Sequence, residues 1–227
     1  MTNKYFFFNL ENYQSSPDMH GQELMSDRGL AYGHGVFETM LYRESALPLK
    51  NQHFTRMITD SAAIGIDLSR SALDKVEEAI HVQASEVGFS NGIVKIILTA
   101  GSGGRGYSSP VKMCPKLIFS YHTVDENWAI QREKGIELWR CDHLLSDNPT
   151  LVGVKHLNRL DQVLGASEAN MQGYVDGLMF NSKGFLVEST CANIFLRTEE
   201  HGWLTPSIET AGINGVMRSL LIHEIFP

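Results

Sequence analysis

The order of helical and strand-like patterns in the first half of the chain places the tightest limit on its fold. Apolar residues recur at helical spacing over residues 54–62 and again over residues 71–87. Short runs rich in aromatic and β-branched residues stand on either side of these helices: "KYFFFNL" and "GVFETMLY" before them, "GIVKIILTAG" and "PKLIFSYHTV" after them. Strands and helices in this mixed order predict an α+β fold.

The second half of the chain also mixes strands and helices. The run "GIELWRC" predicts a strand, residues 160–171 have helical spacing, and "GLMFNSKGFLVEST" and "ANIFLRTEEHGWLTP" predict two hairpins. A last helix is predicted to begin beside Gly212 and Gly215. Because the polar segment "HTVDENWAIQREKG" precedes the first of these strands, we expect an N-terminal α/β domain over 1–122 and a C-terminal domain over 123–227.

Charge and cysteine usage restrict the partners and the compartment. Lys and Arg total 19 against 26 Asp and Glu, a net charge of −7, so we expect a small-molecule partner and no nucleic acid. The cysteines, Cys114, Cys141 and Cys191, stand far apart and are odd in number, as in a protein of the reducing cytoplasm. The apolar N-terminal run is too short for a signal peptide and no long apolar stretch follows, so we expect neither export nor a membrane span.

Lys155 follows a short apolar run and precedes a helical segment, in "VGVKHLNRL". At the end of a predicted strand, its amine could lie in a partly desolvated pocket with a lowered pKa, as Schiff-base lysines require. The alternative is a surface lysine, which is the more frequent situation for a lysine considered alone. The choice between the two depends on which other residues accompany it.

Three further segments contain residues that could act together with Lys155. Glu188, in "VESTCANIF", could bond the pyridine nitrogen of a cofactor and keep it protonated, although alone it resembles a solvated turn residue. Backbone N–H groups of residues 212–215 at a helix start could hold a phosphate, although glycines before a helix often form only a turn. Arg56 could add a bidentate contact to that phosphate, and its alternative is an exposed helix arginine.

The glycine-rich segment "GSGGRGYSSP" is not interpreted as a nucleotide loop, because it lacks the GK[ST] ending of a P-loop and no predicted helix follows its glycines, as a dinucleotide GxGxxG motif requires. We interpret it as a flexible loop that presents Arg105 and Tyr107 to a substrate, the arginine being suited to a carboxylate. The nine histidines show neither HExxH nor clustered spacing, so we expect no metal.

Several of these segments together resemble the fold-type IV pyridoxal-phosphate enzymes. The similar segments are "DRGLAYGHGVFET", "HFTRM", "ESTCANIF", the pair Leu204 and Thr205, and "INGVMR"; His34 stands where an aspartate is expected and Trp203 where an aliphatic residue is usual. The resemblance implies two α/β domains of the D-amino-acid aminotransferase-like class with the cofactor site between them. It also implies that pyridoxal 5'-phosphate is held by Lys155 as the Schiff-base lysine, with Arg56, Glu188, Ile213 and Asn214.

Within that class, "GSGGRGYS" and "GVKHLNRLDQVL" resemble the 4-amino-4-deoxychorismate lyases more than the aminotransferases, which commonly have a tyrosine where Leu160 stands. This resemblance implies a homodimer that makes 4-aminobenzoate and pyruvate for folate biosynthesis, through an external aldimine and proton abstraction by Lys155. Thr39 is the second catalytic candidate, and Arg105 and Tyr107 are the substrate-binding candidates.

Two alternatives to the lyase stay open. One is an aminotransferase acting on branched-chain or D-amino acids, which would use the same lysine. The other is a non-catalytic cofactor-binding protein. Since chains of the lyase family usually continue beyond the last predicted helix, we also expect the C-terminal part of this one to be incomplete.

Overall fold

The structure is a computed structural model that describes residues 4–9, 14–16, 25–124 and 127–225. Contacts divide the chain into two units. The first consists of Met1–Asp125 with Lys155–Asn158, and the second of Glu126–Val154 with Arg159–Pro227. Lys155 therefore belongs to the first unit, although it follows the end of that unit's main segment by some thirty residues.

The first unit is built on a five-stranded antiparallel sheet with the strand order β2-β1-β5-β4-β3. Its strands are β1 (Lys4–Asn9), β2 (Gln14–Ser16), β3 (Gly35–Arg43), β4 (Asn91–Thr99) and β5 (Lys116–His122). The helices that the described residues of this unit form are α1 (Arg28–Tyr32), α2 (Lys50–Ala63) and α3 (Arg70–Glu86).

Alternation along β3 and β4 separates a buried face from a partly exposed one. The buried apolar side chains of these strands and of the two long helices include Val36, Met40, Tyr42, Phe54, Met57, Leu73, Val76, Ile80, Val94, Ile96 and Leu98. Full burial of each aliphatic side chain contributes roughly 1.5–3 kcal/mol. One acid, Glu38, lies on this buried face of β3, where an apolar residue would be ordinary.

The second unit contains a three-stranded sheet in the order β6-β7-β8, with β6 (Leu138–Leu145) parallel to β7 (Asp176–Asn181) and β8 (Leu186–Ser189) antiparallel to it. Its other elements are α4 (Trp128–Lys134), α5 (Leu160–Met171), the hairpin of β9 (Leu196–Thr198) and β10 (Gly202–Leu204), α6 (Val216–Leu220) and a π-helical turn, Leu221–Ile225. Helix α5 contacts both β6 and β7. Gly165 makes this approach possible, because a Cβ there would lie 2.3 Å from Sδ of Met179.

Most predicted elements are confirmed, and the exceptions have physical reasons. Helices α1 and α4 were not predicted: α1 is one turn long, and α4 has no buried residue, so neither shows an apolar period. The strand predicted before Lys155 is wrong, because residues 151–157 form only isolated bridges, Gly153 with Ile213 and His156 with Val36. In the part of the chain that the structure describes, no helix is both long and apolar enough to cross a membrane.

Candidate active site

In the first unit, the backbone of Lys155 is fixed on both sides. Its N–H donates to Oδ2 of Asp60 at 2.8 Å, and its carbonyl accepts from the N–H of Phe37 at 3.1 Å. The side chain is half-buried, and its Nζ lies 4.2 Å from the centroid of the Phe37 ring, a cation–π distance. The amine is therefore packed on an aromatic face and is not the surface lysine of the alternative interpretation.

Asp60 accepts the hydrogen bond from the Lys155 backbone and is also influenced by the charge of Arg56. The carboxyl group of Asp60 is buried in α2, and burial raises its pKa above the ordinary range, although the Lys155 N–H and the charge of Arg56 act in the opposite direction. Asp60, whose ionisation is opposed by burial, thus fixes the backbone of Lys155 by accepting its N–H hydrogen bond. Sequence reasoning missed Asp60, yet it lies three residues after Met57, on the apolar stripe of α2, where an acid is unexpected.

Arg56 is oriented by Glu38. Its Nε and Nη2 donate to the two carboxylate oxygens of Glu38 at 2.7 and 2.6 Å, and Nδ1 of His53 lies 2.7 Å from Oε2. Burial acts to raise the pKa of Glu38, but the hydrogen bonds from His53 and Arg56 outweigh it, and the net pKa is lowered. Because the Arg56 side chain is only 13% exposed, the alternative of an exposed helix arginine is wrong.

In the second unit, Glu188 is a buried carboxylate with both oxygens engaged. It is 3% exposed, accepts from the backbone N–H of Ile213 at 2.9 Å through Oε2, and accepts from Nε2 of Gln162 at 3.1 Å through Oε1. The alternative of a solvated turn residue is therefore wrong. Gln162 lies in the first turn of α5, and sequence reasoning did not select it.

Glycine is required at position 212 for the chain to approach this carboxylate. The φ angle of Gly212 is +97°, and a Cβ there would lie 2.7 Å from Cγ1 of Val187 and 3.3 Å from Oε2 of Glu188. A side chain at this position would both strain the backbone and crowd the acid. The glycine therefore allows the backbone to pass close to Val187 and Glu188.

Three of the four amides predicted to bind a phosphate, those of residues 213–215, donate to acceptors within the second unit. The N–H of Ile213 donates to Glu188, that of Asn214 to the carbonyl of Gly153 at 2.9 Å, and that of Gly215 to Oδ1 of Asn193 at 3.1 Å. A phosphate at these amides would have to replace one of those acceptors. The contacts of Ile213 and Asn214 with a cofactor stay predictions.

The substrate-binding candidates lie on other elements of the first unit. Thr39 is exposed on β3, on the same face as Phe37 because the two are separated by one residue. Arg105 and Tyr107 are exposed on the loop 101–110, where Tyr107 is 87% exposed. The roles of all three in substrate binding stay predictions.

Metal-ligating residues are not clustered in the described ranges. Searched over residues 4–9, 14–16, 25–124 and 127–225, the structure contains no group of three or more His, Cys, Asp or Glu side chains that could hold a metal ion.

Comparison with known proteins identifies the family. The family model for amino-transferase class IV matches residues 35–225. An aminodeoxychorismate lyase of Vibrio harveyi is 30% identical over 203 residues, which are 88% of this chain and 72% of the relative. A putative branched-chain-amino-acid aminotransferase of Methanocaldococcus jannaschii is 27% identical over 205 residues, 86% of this chain and 67% of the relative.

Solved structures agree on the architecture. The crystal structure of 4-amino-4-deoxychorismate lyase from Pseudomonas aeruginosa superposes with a TM-score of 0.79 at 29% identity, covering 97% of this chain and 76% of the other. A branched-chain amino acid aminotransferase of Escherichia coli superposes with a TM-score of 0.82 at 20% identity, covering 96% and 72%. The predicted fold-type IV class is thereby confirmed. The chain belongs to the class IV amino-transferases, a family of pyridoxal-phosphate enzymes.

Proposed function

We propose that this protein is a pyridoxal-phosphate-dependent lyase that converts 4-amino-4-deoxychorismate to 4-aminobenzoate and pyruvate. The observation that carries the proposal is the likeness to lyases over almost the whole chain, 30% identity to one relative and 29% to one solved structure. Leu160, where the aminotransferases commonly have a tyrosine, supports the same assignment. We further propose a homodimer that works in the cytoplasm, in folate biosynthesis.

The residues present fit pyridoxal phosphate. When bound, this cofactor supplies an aldehyde that condenses with amines and a protonated ring that withdraws electrons from the carbon beside that amine. Lys155 offers an amine packed on an aromatic ring, and Arg56 offers a guanidinium fixed by Glu38. Glu188 offers a buried carboxylate that hydrogen bonds from Ile213 and Gln162 hold in place. We propose that these residues, with Ile213 and Asn214, hold the cofactor.

Lys155 is the proton carrier in this proposal. Its amine removes the proton from the ring carbon that bears the substrate's amino group, and its fixed backbone limits the positions that the amine can sample. The ether bond to the enolpyruvyl group then breaks, and the electron pair of the lost C–H bond enters the ring, which becomes aromatic. The departing enolate of pyruvate takes up the proton that Lys155 removed and becomes pyruvate, so no oxidant or second substrate is consumed.

Glu188 and Arg56 act through charge in the same proposal. Glu188 holds a proton at the ring nitrogen of the cofactor, and the hydrogen bonds from Gln162 and Ile213 keep its carboxylate in place. Arg56 contacts the phosphate. Thr39, Arg105 and Tyr107 contact the substrate, whose two carboxylates suit the guanidinium of Arg105.

An aminotransferase is the second candidate. Relatives named as a branched-chain-amino-acid aminotransferase and as D-alanine aminotransferases are 27% and 21–24% identical to this chain. An aminotransferase would release a keto acid and require an amino acceptor, whereas the lyase requires none. A non-catalytic cofactor-binding protein would do neither.

One assay separates these three possibilities. The purified protein, loaded with pyridoxal phosphate, is incubated with 4-amino-4-deoxychorismate alone and, separately, with pairs of amino and keto acids. The 4-aminobenzoate, pyruvate and transamination products are quantified by chromatography. We expect equal amounts of both products, and none with Lys155→Ala. Amine transfer between amino and keto acids without release of aminobenzoate would replace the lyase by the aminotransferase, and no turnover of any substrate would favour the non-catalytic protein.

A further inference from the structure

Arg28 binds the inner side of the loop 101–110. Although it is a charged residue, it is only 3% exposed. Its Nη2 donates to the carbonyl of Tyr107 at 2.8 Å, and its Nη1 lies 3.2 Å from the carbonyls of Gly103, Gly106 and Ser108. One guanidinium therefore contacts four carbonyl groups of one loop, one before and three after the peptide bond that joins Arg105 to Gly106.

His34 fixes the other edge of the same guanidinium. Nε of Arg28 donates to Nδ1 of His34 at 3.2 Å, and Nε2 of His34 lies 2.9 Å from the carbonyl of Ile64. Since Nδ1 accepts, the imidazole carries its proton on Nε2 and donates it to Ile64. This tautomer accepts from Nε of Arg28 and so directs the two terminal nitrogens of the guanidinium toward the loop 101–110.

Two further contacts restrict the loop. The Arg28 guanidinium lies 5.1 Å from the Tyr32 ring centroid, and the Tyr32 ring meets the Tyr107 ring edge-on at 5.3 Å. At the base of the loop, the N–H of Arg28 donates to the carbonyl of Gly101 at 2.9 Å. The loop is thus fixed on its inner side while the Arg105 side chain remains exposed.

We propose that Arg28 is a positioning residue for substrate capture, which clamps the carbonyls of the loop 101–110 so that Arg105 is held ready for a substrate carboxylate. This inference rests on the proposed function for the identity of the substrate. Arg28 itself does not touch the substrate in this account. A lysine cannot replace it, because a single ammonium cannot reach four carbonyls and the His34 ring at once.

The clamp is tested first without any turnover, by trypsin cleavage after Arg105 under native conditions. In Arg28→Lys we expect cleavage roughly 10- to 100-fold faster, the factor that corresponds to loss of one hydrogen bond to a charged group. Cleavage after Lys183, in the β7–β8 turn, is the internal control and should not change, and Arg43→Lys is the matched surface variant. Equal cleavage after Arg105 in Arg28→Lys and the wild type would overturn the proposal.

A matched pair at His34 tests the orientation of the fork. Glutamine can accept from Arg28 and donate to the Ile64 carbonyl, so His34→Gln should keep slow cleavage after Arg105. Leucine can do neither, so His34→Leu should accelerate it. The same cleavage rate in both variants would show that the imidazole does not orient Arg28.

The positioning role is tested by a double-mutant cycle on the kinetics of holoenzyme. Arg28→Lys should raise KM for 4-amino-4-deoxychorismate roughly 10- to 100-fold and leave kcat within about twofold, because only capture is impaired. In the Arg105→Ala background, Arg28→Lys should change KM by less than about twofold, since its effect passes through Arg105. Independent, multiplicative effects of the two substitutions would overturn the proposal.

Failure of the proposed function is a separate outcome. If the wild-type protein transfers amines and releases no aminobenzoate, the lyase assignment fails, and the same cycle is measured on KM of the amino acid, which also carries a carboxylate. The trypsin result then decides whether Arg28 clamps the loop, and the cycle decides whether the clamp acts through Arg105.

Discussion

Replacing Glu38 with glutamine should destabilise the protein more than any exposed substitution, because it breaks a buried ion pair from one side. The Glu38 side chain is 1% exposed and receives two hydrogen bonds from Arg56 and one from His53, at 2.6–2.7 Å. Glutamine has one acceptor oxygen and a donor amide, so the Arg56 guanidinium loses its counter-charge and one of its two hydrogen-bond acceptors. Removal of one partner of a buried pair costs roughly 3–5 kcal/mol.

The pH dependence of this effect has a definite sign. The folded-state pKa of Glu38 is lowered, so the stability that the ionised group contributes is present above its unfolded pKa, about 4.3, and is lost as the pH falls through the folded value. The difference between the wild type and Glu38→Gln should therefore be full at neutral pH and shrink on acidification below about pH 4.

Urea unfolding of the cofactor-free protein, followed by circular dichroism at several pH values, measures this difference. Arg43→Gln is the control, since Arg43 lies on the same strand but forms only an exposed pair with Glu44. Its effect should stay below about 1 kcal/mol. A cost below about 1 kcal/mol for Glu38→Gln at neutral pH, or a cost that does not change on acidification, would refute the reasoning about the buried pair.

The remaining predictions concern Asp60, Gly212 and Glu188. Burial raises the pKa of Asp60 in the folded protein, so ionisation of Asp60 opposes folding once the pH exceeds its pKa in the unfolded chain, about 3.9. Asp60→Asn should therefore raise the midpoint of urea unfolding at pH 7 and leave the midpoint unchanged in acid. Gly212→Ala should lower the melting temperature more than Gly184→Ala, since both have positive φ but only at 212 does a Cβ meet other atoms, and a smaller loss would contradict the argument. Glu188→Gln should bind pyridoxal phosphate, by absorbance titration, yet slow turnover, and unchanged turnover would remove Glu188 from the mechanism.

The sequence predicted most of the regular elements because their apolar periods were complete. Helix α5 was expected over residues 160–171 and has those bounds, since its spacing is uninterrupted. Helix α4 shows no such period because none of its residues is buried. The segment around Lys155 was expected to be a strand, but the Lys155 N–H is bonded by the side chain of Asp60 and not by a neighbouring strand. A side-chain acceptor of this kind leaves no trace in local periodicity.

Site residues that belong to a recognisable sequence motif could be predicted. Their hydrogen-bond partners on other elements could not, because only the folded chain brings them together. Glu188 was selected from its segment, whereas Gln162 was not, although it donates to the same carboxylate from another element. Glu38 and Asp60 could have been found as acids on the apolar faces of β3 and α2. Arg28 could not, because its four carbonyl partners are backbone groups of a distant loop, which no side-chain pattern records.

Reduction with borohydride tests the central claim most directly. The protein is reconstituted with pyridoxal phosphate, reduced, digested and mapped by mass spectrometry to find the lysine that carries the pyridoxyl group. We predict that the label is on Lys155. The competing lysine is Lys95, whose Nζ lies 5.3 Å from the centroid of the same Phe37 ring. A label on Lys95 or any other lysine, or no bound cofactor after reconstitution, would contradict the account.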